Sequence, residues 1–181
     1  MKTDIATPRY DRATLAFHWL TAVLVVEQWV GAHVIDDFAK GAPRVAARSV
    51  HISFGLFLGF VLVARLVWRV TQGRKLPPAN EGFLQFIAKG THWLLYALLV
   101  AIVPVGMFLV WTQGDSYFGL FSVPTFDAGN RLLRHNVGEL HKLLANAILI
   151  ISSLHVAAAL VHHFVWHDDV LRRMMPGRGK A

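Results

Sequence analysis

Four stretches of the chain are almost wholly apolar, and polar residues gather between them instead of alternating with them. A bilayer core of about 30 Å needs roughly 20 residues of helix. That requirement predicts spans over residues 14–35, 49–70, 91–111 and 136–165. The fourth is longer than a bilayer needs, so it projects or tilts. Pro104, inside the third, is expected to free a carbonyl and bend the helix. The fold expected is an all-α integral membrane four-helix bundle, one membrane domain over residues 1–181.

Composition agrees. Of 181 residues 55% are hydrophobic and 16% charged, where a soluble domain carries about a quarter charged residues. Without cysteine, disulfides, thiolate metal sites, iron–sulfur clusters and cysteine nucleophiles are excluded. The formal net charge of +7 does not point to nucleic acid, because the basic residues flank the spans and form no stripe. Lys2, Arg9 and Arg12 precede the first span. Arg69, Arg74, Lys75 and Lys89 lie between the second and third, and Arg172, Arg173, Arg178 and Lys180 follow the fourth. The other side has Lys40, Arg44, Arg48, Arg131, Arg134 and Lys142. The first set is larger, which predicts both termini on the cytoplasmic side. The N-terminal stretch is mixed in charge and reads as retained, not as a cleaved leader. RKLPPANEG (74–82) reads as a cytoplasmic loop, and residues 112–134 as a longer outer connection.

The histidines carry the chemistry. His141 and His155 bound a mostly apolar stretch of the fourth span. Fourteen helical residues rise about 21 Å and complete nearly four turns, so the two lie near one face at opposite depths. His18, early in the first span, shares the depth of His155. His51, early in the second, shares that of His141. Paired imidazoles from facing helices are what a b-type haem needs for its two axial bonds, and two pairs predict two haems. A lone membrane histidine can instead bond a neighbouring helix, and His92 could replace His18 or His155. A zinc site would require a cluster at one depth, and no HExxH spacing occurs. Arg65, fourteen residues after His51, reaches the inner depth and either pairs with a haem propionate or snorkels to headgroups. His162, His163 and His167 crowd the inner end of the fourth span, as interfacial anchors together with Trp166 or as a protonatable quinone pocket that involves His162, His163 or Trp166. His33 and His135 sit at the outer boundary, where solvation is expected. Glu27, mid-span, must be protonated or paired inside the bundle.

These residues resemble the bacterial cytochrome b561 proteins, four-helix dihaem membrane cytochromes. The likeness rests on FHW around His18, VHISFG around His51, HKLLAN and SLHVAAALVHHF around His141 and His155, and the ending WHDDVLRRMMPGR. It covers nearly the whole chain, although Glu27 departs from the pattern. The resemblance implies two haem b on the same four histidines and a place in the bacterial inner membrane. It also implies electron transfer from superoxide at the outer face to ubiquinone. Arg44, Arg48, Arg131, Arg134 and Lys142 would then form a funnel for that anion. Similar cytochromes anchor hydrogenases and other dehydrogenases, in which case the outer surface would receive a redox protein. A haem-free helical membrane protein is the third reading, distinguished by a colourless preparation.

Overall fold

The computed structural model describes residues 9–79 and 81–175, so Lys2, Asn80, Arg178 and Lys180 lie outside the described residues. Four helices dominate it: α1 (Arg12–Val34), α2 (Ala42–Thr71), α3 (Gly82–Gln113) and α4 (Arg131–Phe164). All four are long and apolar enough to cross a membrane. Hydrocarbon offers no partner for backbone polar groups, so each span satisfies its own as helix. The hydroxyls follow the same rule. Thr21, Ser53 and Thr71 each donate to the carbonyl four residues back.

All four helices begin before their apolar cores, α1 by two residues and the others by five or more. α2 starts at Ala42 instead of residue 49, α3 at Gly82 instead of 91, and α4 at Arg131 instead of 136. Hydropathy finds where a helix must be dry, whereas its hydrogen-bond ladder continues to the first break. α2 opens after Gly41 with Pro43 in its first turn. α4 opens where the Asn130 side chain accepts from Leu133 N–H. α1 opens at Asp11, whose carboxylate accepts from the Thr14 amide and hydroxyl at 2.8 and 2.7 Å.

α1 packs mainly on α2 and α3 mainly on α4, with a lighter α2–α3 seam, while α4 makes little direct backbone approach to α1 or α2. The core is small: Leu24, Leu58, Val61, Leu62, Leu99 and Ile148, with Phe17, Ile102 and Val103 against it. Large apolar residues such as Phe60 and Phe86 point outward, as lipid-facing side chains do. Between helices in a bilayer the drive is close packing, since lipid tails are as apolar as leucine.

The bundle's two ends differ. On the terminal side Asp11 also accepts from Trp68 Nε1 at 3.1 Å and from Arg74 N–H at 3.0 Å. Trp19 donates to the Met174 carbonyl, and Arg173 to that of Pro77. Opposite lies a feature that the apolar pattern did not predict, a short antiparallel hairpin inside the connection read as residues 112–134. Its strands β1 (Ser116–Tyr117) and β2 (Phe121–Ser122) pair Ser116 with Ser122 and Tyr117 with Phe121. Gly114 ends α3 at φ +66°, where a Cβ would meet Thr125 Oγ1 at 2.1 Å, so only glycine turns the chain here. The hairpin is fastened to α2. Phe118 N–H donates to fully buried Ser49 at 2.8 Å, Ser53 and Tyr117 hydroxyls pair at 2.7 Å, and Arg48 bridges Asp115 at 2.7 Å.

Candidate haem sites and their surroundings

α4 carries His141, Ile148, His155 and His162 at intervals of seven. Seven residues fall about 20° short of two turns, so the four share one face that drifts slowly around the helix. Ile148 is buried in the core. The apolar core is therefore a layer between an upper and a lower histidine.

Each histidine meets a ring from the other helix pair. His51 of α2 faces His141 with ring centres 6.4 Å apart, and His18 of α1 faces His155 with ring centres also 6.4 Å apart. Two metal–imidazole bonds of about 2 Å, plus the ring radii, would require ring centres about 6 Å apart. Both pairs have that separation. His92 of α3 is also beside His155, but at 5.3 Å, short of it. The residues present therefore fit iron held between two imidazoles at two depths. Among the described residues no group of three or more His, Asp or Glu is arranged to hold a metal ion.

On the hairpin side, His51 Nδ1 and His141 Nδ1 are buried without a hydrogen-bond partner among the described residues. Gly106 of α3 faces the His141 ring, and a Cβ there would lie 3.0 Å from Cε1. The ring needs that glycine's bareness. Gln28 donates to the His51 carbonyl at 3.0 Å and to the Glu27 carboxyl at 3.2 Å.

On the terminal side the surroundings are polar. Arg65 reaches within 3.3 Å of His18 Nδ1 and lies over the Tyr96 ring at 5.1 Å. It turns into the bundle and does not snorkel. Two turns beyond His155, His162 is buried and hydrogen-bonds Asp168 through Nδ1. Trp166 sits edge-on to its ring at 4.4 Å. Burial alone would raise Asp168, but the His162 ring, the Val170 amide and the Arg173 charge hold it below the ordinary carboxylate range. His163 is partly buried, with Nδ1 unpartnered among the described residues. His33 is exposed, although its Nδ1 contacts the Trp29 carbonyl, and His135 is exposed.

The basic residues of the hairpin side are not five free cations. Arg44 pairs with Asp36 at 3.2 Å, Arg48 with Asp115, and Lys142 with Glu139 at 2.9 Å. Arg134 folds back on the Ala128 carbonyl, and Arg131 is exposed in the first turn of α4. A cavity of about 110 Å³ opens between Lys40, Arg44, Arg48, Asp115 and Ser116. Sequence reasoning missed Asp115 and Asp168. Each is an acid just beyond a span's end, and only its partner's position gives it meaning.

A profile of the prokaryotic cytochrome b561 family matches residues 9–177. Cytochrome b561 homolog 2 of Escherichia coli K12 is 34% identical over 176 residues, covering 92% of this chain and 91% of its own. The probable superoxide oxidase CybB of Yersinia pestis is 28% identical over 171 residues, covering 93% and 96%. Cytochrome b562 of Cereibacter sphaeroides is 26% identical over 176 residues, covering 94% and 98%. With matching this extensive, and with paired imidazoles between its long helices, the chain belongs to the prokaryotic cytochrome b561 family, the multi-pass membrane cytochromes that bind haem b and transfer electrons.

Proposed function

We propose that this protein resides in the bacterial inner membrane, termini toward the cytoplasm, and moves electrons from superoxide at the periplasmic face to ubiquinone. The observation that carries the proposal is the pair of equal imidazole gaps, His51–His141 and His18–His155, stacked along one stripe of α4. These four would hold two haem b, which supply one-electron redox chemistry that no side chain here offers. Arg65 is suited to neutralise a propionate on the terminal side. The core layer around Ile148 excludes water between the two gaps.

The cavity beside Lys40, Arg44 and Arg48 gives an anion a cationic approach on the hairpin side. Asp36 and Asp115 orient two of those cations and offset part of their charge. Each superoxide releases one electron and leaves as dioxygen. Two such electrons and two protons convert ubiquinone to ubiquinol, at a site we assign to His162, His163 and Trp166. The likeness to the probable superoxide oxidase of Yersinia pestis supports this donor. A second reading has one specific observation behind it: Phe118, Leu120 and Phe121 are exposed at the hairpin tip, a surface that a docked redox subunit of a dehydrogenase would cover.

The test is a reduced-minus-oxidised spectrum with haem quantitation, then superoxide-driven ubiquinone reduction by the purified protein in liposomes. Two haems per chain and fast reduction without a partner are expected. Haem reduction only when a redox subunit copurifies would favour the second reading, and a colourless protein would overturn both. Should Leu at both 162 and 163 leave ubiquinone reduction by prereduced protein unchanged, the quinone assignment is wrong.

A further inference from the structure

We infer that His162 and Asp168 form a proton-delivery dyad for the quinone, with His162 as the acid that protonates it and Asp168 as its positioning residue. The inference rests on the quinone assignment above. His162 follows His155 by seven residues on the histidine stripe of α4, and it is buried. Asp168 is outside the helix, beyond the turn at His167, whose φ is +54°. Three bonds fix the pair. The His162 ring meets the Asp168 carboxylate through Nδ1, the Asp168 amide donates to the His162 carbonyl at 3.1 Å, and Val170 N–H donates to the carboxylate at 3.0 Å. A carboxylate that holds Nδ1–H fixes the tautomer and turns the second ring nitrogen away from it. That nitrogen is the one left to exchange a proton.

Other charged and titratable groups lie on the same segment. Arg173 acts on Asp168 through its charge. Asp169 is engaged by Arg172 at 3.5 Å. His167 is exposed and turns its Nδ1 to the Val165 carbonyl, while His163 packs on Phe164. Asp168 is thus the acid that engages the His162 ring.

The chemistry balances. Ubiquinone takes two electrons, released by two superoxide anions that leave as dioxygen, and one proton on each carbonyl oxygen. Protonated His162 breaks its free N–H bond as the quinone O–H forms, and remains neutral with Nδ1–H on Asp168. Water on the terminal side reprotonates it and supplies the proton for the opposite carbonyl oxygen. Electrons entering from one face and protons from the other make the reaction charge-separating.

The test is reoxidation of dithionite-reduced protein by ubiquinone-1 in stopped flow between pH 5 and 9, for wild type, Asp168→Asn, Asp168→Glu and His162→Gln. Asp168→Asn should slow reoxidation about 10- to 100-fold and change its pH dependence. Asp168→Glu should restore much of both, and His162→Gln should remove the inflection. As a readout independent of turnover, nitrogen NMR of imidazole-labelled wild type should report a single Nδ1–H tautomer of His162, and Asp168→Asn a mixture. A merely structural turn predicts unchanged pH profiles in every variant that retains its haem, and that result would overturn the dyad. Failure of wild type to oxidise superoxide would overturn the donor and leave this test standing.

Discussion

The two imidazole pairs share one geometry and differ in almost everything around it. Each separates its ring centres by 6.4 Å. The terminal-side pair has a guanidinium, a third imidazole and a tyrosine ring as neighbours. The hairpin-side pair has a bare glycine and ring nitrogens without partners among the described residues. Ring spacing decides whether a metal fits, whereas the surroundings decide how readily it accepts an electron. A unit cation within about 7 Å, at an effective dielectric of about 20, is worth about 2 kcal/mol, or about 100 mV for one electron. Arg65 therefore favours an electron on the terminal side. That preference agrees with the proposed direction of transfer, toward the terminal side.

The largest expected effect separates the pairs outright. Ala at 51 or 141 should lower haem content by about half, and so should Ala at 18 or 155. The spectrum remaining after a hairpin-side change should differ from that remaining after a terminal-side change, as pyridine haemochrome assay and low-temperature spectra can report. If all four variants lost the same spectral component, the pairs would not be independent sites. Next, Arg65→Met should lower the midpoint potential of one haem by several tens of millivolts, up to about 100 mV, and leave the other unchanged. Spectroelectrochemical titration distinguishes this from an equal shift of both, which would mean that Arg65 acts through the whole fold.

Gly106→Ala should act on the other pair. Its Cβ would press His141 Cε1 at 3.0 Å, so the ring must turn or the helices part, at a cost of about 1–3 kcal/mol. The signature is a changed low-spin electron paramagnetic resonance signal for one haem, with the Arg65-linked haem untouched. The smallest effect concerns stability. Burial would raise Asp11, but hydrogen bonds from Thr14, Arg74 and Trp68 outweigh it and hold the carboxyl well below its ordinary range. A lowered folded value means stability that is present above the unfolded pKa of about 3.9 and lost as pH falls through the folded one. Asp11→Ala should cost about 0.5–2 kcal/mol at neutral pH. Thermal unfolding should register the loss at pH 7 and progressively less of it under strong acid.

How much of this was legible follows from the range of each interaction. The spans could be read because a bilayer imposes length and apolarity on contiguous residues. The histidine depths could be read because helical rise is fixed. That Arg65 enters the bundle was half legible, since its depth followed from spacing but the choice between interior and headgroup did not. The hairpin was not legible. Its bonds join Arg48, Ser49 and Ser53 to residues more than sixty positions away, and two-residue strands leave no periodic trace. That Arg44 and Arg48 are held by Asp36 and Asp115 was not legible for the same reason, because those acids become partners only through folding.

By itself, then, the sequence determined a four-span apolar chain with histidines at two depths, because these depend on composition and on the constant geometry of one helix. The tertiary structure alone decided which imidazoles face each other, which cations are already paired, that Gly106 makes room for a ring, and that Asp168 reaches His162. Those depend on how helices lie against one another, and no local rule along a single strand of chain encodes that distance.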